Sequence, residues 1–272
     1  MSTTEVGPSS ATVRRAVPSP IVASLRFIAF LGCTAWALSG VLIGRFLART
    51  VNAKRFAATY WTRQWFLGGR HVLGMKVRVS GPMPPPGVLL APNHAGYIDM
   101  IALGSIVNTF FVAKLEIESW PVIGYLLRVS ETVGVPRSKT RGLIVAIEGV
   151  AERLRGGHRV CVFLESTTTG GEELLPFRGA MLQAALDANA PIVPVGIQYR
   201  LTRPDMDFAE DVAYWKTDHV FGPHFWRLIG LGNLDAEIVF GEPILPATQD
   251  RAALADQIRE RVIELRRSVP SA

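Results

Sequence analysis

Apolar residues in this chain fall into short runs of strand length separated by stretches with helical period. From Met75 to Ser80 apolar and polar positions alternate as in a half-exposed strand, and the PMPPP that follows breaks the chain. Five apolar runs come next, over 87–91, 109–113, 132–135, 159–164 and 191–199, and a last one covers 236–240. Between them, 141–155 places Leu143, Ile144, Ile147, Val150, Ala151 and Leu154 on one face, with Gly156 and Gly157 to stop the helix. Residues 181–190 form a second helical stretch, and 251–267 a charged amphipathic one. Near-continuous apolar strands alternating with helices predict an α/β fold: a mainly parallel sheet flanked by helices.

Upstream the pattern changes. Phe27 to Gly44 carries no charge and is bounded by Arg26 and Arg45. As a helix it would be ~27 Å long, close to the hydrocarbon thickness of a bilayer. Basic residues then gather (Arg45, Arg49, Lys54, Arg55, Arg63, Arg70) among Phe, Tyr and Trp, a mixture suited to a membrane interface and to keeping the rest on the cytoplasmic face, the inner membrane in a bacterium. The run leaves open whether it spans or lies half-sunk. The expected organisation is a disordered Ser/Thr/Pro-rich tail over 1–20, membrane-associated helices over 21–70, and one domain over 71–272.

Composition supports the membrane reading: 49% of the 272 residues are hydrophobic, and mean hydropathy is +0.24. The net charge of +6 suits an anionic partner. The basic residues cluster beside the apolar helix and not on a nucleic-acid-binding motif, so no nucleic acid is expected. Cys33 and Cys161 both lie in apolar runs, which excludes a disulfide framework and a Cys-ligated metal site. The remaining histidines have no acid at ligand spacing. There is no phosphate-binding glycine loop either, so neither a metal nor a cofactor is expected.

Chemistry-bearing residues collect at the carboxyl ends of the expected strands, where open α/β sheets place their sites. The first buried strand runs into Asn93 and His94, and others end at Lys114, at Pro136-Arg137 and at Glu165. Within PNHAGYID, His94 and Asp99 are five apart and could not meet on one helix. They meet if His94 sits on a loop and Asp99 in the first turn of the helix after it, with Gly96 at the bend. An acid there can accept one imidazole N–H and leave the other nitrogen to move a proton. On spacing alone, the pair reads equally as a capping Asp beside a structural His.

PNHAGYID resembles the NHxxxxD motif of the glycerolipid acyltransferases, the family of 1-acyl-glycerol-3-phosphate acyltransferases. FVAKLEIESWPVIGYLLRVSETVGVPR, VFLESTTTGG, LLPFRGAM and PIVPVGI resemble that family's later blocks, in order. The resemblance implies a catalytic pair His94 and Asp99, with His94 as general base. It also implies substrate-binding roles for Asn93, Arg137, Glu165, Ser166, Thr167 and Arg178, Arg137 being the one for an acceptor phosphate. The donor would be acyl-CoA or acyl carrier protein, and the acceptor a lyso-lipid such as 1-acyl-glycerol-3-phosphate. VAYWKTDHVFGPHFWRLIGL with FGEPI is similar to a subgroup that includes lyso-ornithine lipid acyltransferases. Two departures stand out: Leu164 and Ser166 replace the third block's usual Pro and Gly, and Gly96 replaces a frequent Ser. A non-catalytic lipid-binding homologue is the alternative that the altered block raises.

Overall fold

The computed structural model describes residues 16–119, 123–136, 140–171, 173–214, 216, 219–247 and 250–269. Two long helices come first, α1 (Pro20–Leu47) and α2 (Val51–Val72). Ser19 and Thr50 cap them, each side-chain hydroxyl accepting a backbone N–H of the first turn. They pack tightly because Gly40 has no side chain: a Cβ there would sit 2.2 Å from the Trp61 ring. By length and composition α1 could cross a membrane, and 17% of its most apolar window is buried. Its inner side rests on the domain, where Phe27 and Phe30 meet Trp226 and Phe225, and Arg26 donates to Ile229 O (2.9 Å). Ala16, before the helix, is already buried and donates to Asp205 O (2.9 Å).

The chain then builds β1 (Lys76–Ser80), β2 (Leu89–Pro92), α3 (Tyr97–Gly104), β3 (Phe110–Lys114), α4 (Ile123–Val129), β4 (Val133–Val135), α5 (Thr140–Arg155) and β5 (Val160–Cys161). It continues through α6 (Gln183–Asp187), β6 (Ile192–Leu201), α7 (Phe208–Asp211), α8 (Phe221–Leu231), β7 (Leu234–Phe240) and α9 (Arg251–Ser268). The strands form one sheet in the order β1-β7-β6-β2-β5-β3-β4. Every neighbouring pair is parallel except β6 with β7.

Strand alternation divides the core in two. Val88 and Leu90 face the side covered by α2, α3 and α8, with Phe66, Ile98, Phe225 and Leu228. Leu89 and Ala91 face the other side, with Val150 and Leu154 of α5, Ala184 of α6, and Leu254, Ile258 and Val262 of α9. This is the α/β arrangement that the apolar runs imply.

Three details differ from the sequence expectation. The run over 159–164 pairs as a strand only at Val160–Cys161; after Val162 donates to Leu90 O, the chain leaves the sheet. The stretch 181–190 is a tight 3₁₀ turn, Gly179–Leu182, leading into α6, and Asn189 ends it at φ 48°. Helix α8 falls in a stretch to which no element was assigned, and it contains Gly222 and Pro223. Both lie in its first turn, where a missing N–H costs nothing.

Candidate active site

The loop after β2 is built around two buried acids. Asp99 is the third residue of α3 and is wholly buried. Its Oδ2 accepts His94 Nδ1 (2.8 Å), Ala95 N (2.6 Å) and Gly96 N (2.9 Å), while Oδ1 accepts the Tyr199 hydroxyl (2.7 Å). The helix N-terminus adds its own favourable dipole to these bonds. Because a carboxylate can only accept, Nδ1 of His94 carries the proton, and Nε2 is the nitrogen available to take another. His94 is thus on the loop and Asp99 inside the helix start.

Glu165, the second acid, is 2% exposed. Its Oε1 accepts the His94 backbone N–H (2.6 Å), and its Oε2 accepts Leu175 N (2.9 Å). Burial pushes the carboxyl up, opposed by these two N–H bonds. The carboxylate therefore joins the His94 loop to the 175 segment, with both oxygens engaged. The Phe163 ring stacks on His94 at 3.8 Å between centroids and 18° between planes, fixing the imidazole from the side. Thr169 N donates to His94 O (3.2 Å) and Tyr214 N to Ala95 O (3.0 Å), so two distant segments hold the turn. A Cβ at Gly96 would lie 2.9 Å from Tyr214 N, so the Ser frequent in the motif does not fit here without moving that segment.

The other expected site residues are placed as follows. The Asn93 amide is buried and bonds both ways to the Ile197 backbone (3.0 and 2.7 Å), tying the end of β2 to β6. Ser166 and Thr167 are exposed on the turn after Glu165. Ser166 has φ 59°, the left-handed conformation that the motif's usual glycine adopts freely. Arg178 is exposed, and its N–H donates to Leu164 O (2.8 Å). Lys114 is exposed at the end of β3. Arg137 lies outside the described residues, just past the end of β4. Cys161 is buried, with its thiol pushed well up by burial and by Asp99, as expected of an inert cysteine. No group of metal-ligating side chains occurs among the described residues.

Residues 75–198 match the family described as Acyltransferase. The chain is 32% identical to the 1-acyl-sn-glycerol-3-phosphate acyltransferase of Neisseria gonorrhoeae over 197 residues, 70% of this chain and 73% of that protein. It is also 32% identical to the lyso-ornithine lipid O-acyltransferase of Pseudomonas aeruginosa, covering 74% of this chain and 76% of that one. This chain belongs to the acyltransferase family. Its relatives make it an acyltransferase enzyme. The fold agrees: the crystal structure of the 1-acyl-sn-glycerophosphate acyltransferase PlsC from Thermotoga maritima superposes with TM-score 0.63. That match covers 93% of this chain and 99% of that one, at 18% identity.

Against the acyltransferase motifs, two partners of the His94–Asp99 pair went unforeseen. Phe163 lies within the third block, and its aromatic ring beside Glu165 was the available signal. Tyr199 closes the β6 run, and nothing in its spacing ties it to an acid 100 residues earlier.

Proposed function

We propose that this acyltransferase moves a fatty acyl group from an acyl thioester, of CoA or acyl carrier protein, to the hydroxyl of a lyso-lipid. His94 is the general base. The observation that carries the reading is the bond from His94 Nδ1 to a buried, four-fold bonded Asp99, which fixes the tautomer and supports the imidazolium. As the acceptor oxygen attacks the thioester carbonyl, Nε2 takes its proton. The C–S bond then breaks, and the proton passes to the departing thiolate. No protein nucleophile takes part.

The leading acceptor is 1-acyl-glycerol-3-phosphate, giving phosphatidic acid, with Arg137 holding the phosphate and Arg178 adding positive charge. Ser166 and Thr167 border the acceptor's path on the turn beyond Glu165. Asn93 and Glu165 serve binding indirectly, by fixing the loop. Lyso-ornithine lipid is the second acceptor, favoured by the 212–231 segment and by relatives of that name. Its headgroup would present a carboxylate to Arg137. The enzyme works at the cytoplasmic face of the inner membrane, with α1 and the basic, aromatic α2 attaching it.

The test is release of free thiol by detergent-purified protein given acyl-CoA or acyl carrier protein and either lyso-lipid. His94→Ala should abolish release; equal rates for wild type and variant would end the general-base reading. The acceptor that supports turnover decides the substrate. Arg137→Ala should lose activity most with the phosphate acceptor.

A further inference from the structure

Leu254, Ile258 and Val262 seat α9 on the core, and Arg259, beside Ile258, reaches from it to the loop that follows Glu165. Its Nη2 donates to Leu174 O (2.6 Å) and its Nε to Leu175 O (3.0 Å). Leu174 O and Leu175 N belong to one peptide group, and in a trans peptide the two point in opposite directions. With its oxygen held by Arg259, this group aims its N–H at Glu165 Oε2 (2.9 Å), and Glu165 Oε1 takes the His94 backbone N–H (2.6 Å). A line of hydrogen bonds therefore runs from guanidinium, through peptide and carboxylate, to the residue that carries the imidazole. The peptide meets a cation at its oxygen and an anion at its N–H, and each bond strengthens the other. The buried Leu174 side chain fixes where the segment lies, but not which way its peptide faces. Turned over, the peptide would present its oxygen to the carboxylate and lose both partners. Arg266, near the end of α9, holds Gly171 O (2.6 Å) and lines a small pocket with Asn93, Ala95 and Tyr199, so the helix grips the loop at a second point.

Resting on the reading of His94 as base, we propose that Arg259 is a positioning residue for the reaction. It sets the direction of the 174–175 peptide, that peptide holds Glu165, and Glu165 holds the turn carrying His94. Both bonds of Arg259 are to backbone oxygens, so its effect on His94 is one of placement. The two-pronged hold needs the guanidinium fork: a Lys offers a single point of charge, and a Gln offers neither the charge nor the reach. A base displaced by about 1 Å can cost about 10²-fold in rate, while contacts that bind the substrates elsewhere are untouched. Arg259 lies in the charged C-terminal helix, outside the residues that match the family.

The experiment compares wild type, Arg259→Gln, Arg259→Lys, Glu165→Gln and the double variant of Arg259→Gln with Glu165→Gln. Thiol-release kinetics give kcat and KM. Hydrogen exchange, resolved to single amides by mass spectrometry, reads the loop without any turnover. Arg259→Gln should lower kcat about tenfold or more with KM held within about twofold. It should also speed exchange at the His94 and Leu175 amides about tenfold, while β2 and β6 exchange as in wild type. Arg259→Lys should recover part of both. With Glu165→Gln already present, Arg259→Gln should change kcat by less than about twofold, because the path through which it acts is cut. Two single losses that multiply fully in the double variant, or wild-type exchange at the His94 amide in Arg259→Gln, would overturn the proposal. If Arg259→Gln fails to fold, Arg259→Lys carries the same comparisons, alone and with Glu165→Gln. An active His94→Ala would remove the general-base reading instead, and the exchange rates would still report whether Arg259 holds the His94 turn.

Discussion

Replacing Asp99 by Asn separates the charge of the proposed catalytic pair from its geometry. The two side chains are nearly isosteric, and the bonding pattern selects one amide orientation. Three N–H donors converge on the Oδ2 position, so the amide oxygen takes that place. The NH₂ then faces the Tyr199 hydroxyl, which can turn to accept it. His94 therefore keeps its tautomer and place, and only the negative charge is lost. With Nδ1 2.8 Å from Oδ2, the imidazolium and carboxylate charges are centred about 4 Å apart. At an effective dielectric of about 20 this is worth about 4 kcal/mol in the transition state, or about 10³-fold in kcat. Exchanging charged for neutral acceptor bonds should lower stability by only about 1–2 kcal/mol. Thiol-release kinetics at saturating acceptor, paired with thermal unfolding, provide the assay. An Asn variant that folds like wild type and keeps more than a tenth of its kcat would refute the reasoning. Asp99→Ala is less informative, since it strands the buried donors and unfolds the loop as well.

Ser166→Gly should relieve about 1–2 kcal/mol of left-handed strain at φ 59° while adding about 0.4–1 kcal/mol of unfolded-state entropy; a net gain appears as a higher unfolding midpoint. Gly96→Ser should cost about 1–3 kcal/mol and at least tenfold in kcat by pressing a Cβ against Tyr214 N at 2.9 Å; wild-type unfolding and kinetics for this variant would contradict the packing argument. His224 is buried against Tyr97, and burial, followed by the neighbouring His219, pushes its imidazole down to about 4. The unfolded chain takes up this proton near pH 6.5 and the folded one does not, so stability should fall as pH drops from 6.5 towards 4 and level off below. The slope is at most about 1.4 kcal/mol per pH unit. Urea unfolding across that range checks it, and His224→Gln should flatten the dependence.

What could be read in advance was what is local. The five-residue spacing of His94 and Asp99 ruled out a meeting on one helix and suggested a loop followed by a helix start, though spacing alone read equally as a capping Asp beside a structural His. The two sides of the sheet were legible in the runs at 87–91 and 191–199, since alternate residues of a buried strand must find two apolar layers. Glu165 was noticed as a carboxylate at a strand end, but its two backbone partners depend on how the 165–175 loop folds back. Tyr199 and Arg266 are further still from sequence reasoning: each reaches the site from an element whose register is set by packing across the sheet. Helix α8 was given no element in the sequence; its Gly222 and Pro223 are tolerated because both fall in the first turn. The strand at 159–164 was overestimated because Val162, Phe163 and Leu164 stay apolar to pack on the core, and Phe163 also on His94, after the chain has left the ladder.

The first helix is also a wall of the domain. Phe27 and Phe30 cover aromatic rings of α8, Arg26 closes its last turn, and Arg45 and Arg55, from the two N-terminal helices, pair with Glu131 beyond α4. Cutting the chain before residue 48 to obtain a more tractable fragment would open Phe225 to water and leave Glu131 with fewer cations. Such a fragment would be prone to clump, and the proposed membrane helix could not be exchanged for another as a cassette. If α1 attaches the enzyme to a bilayer as proposed, a helix built into the wall would set the height of His94 above the lipid by folding, not by the length of a tether.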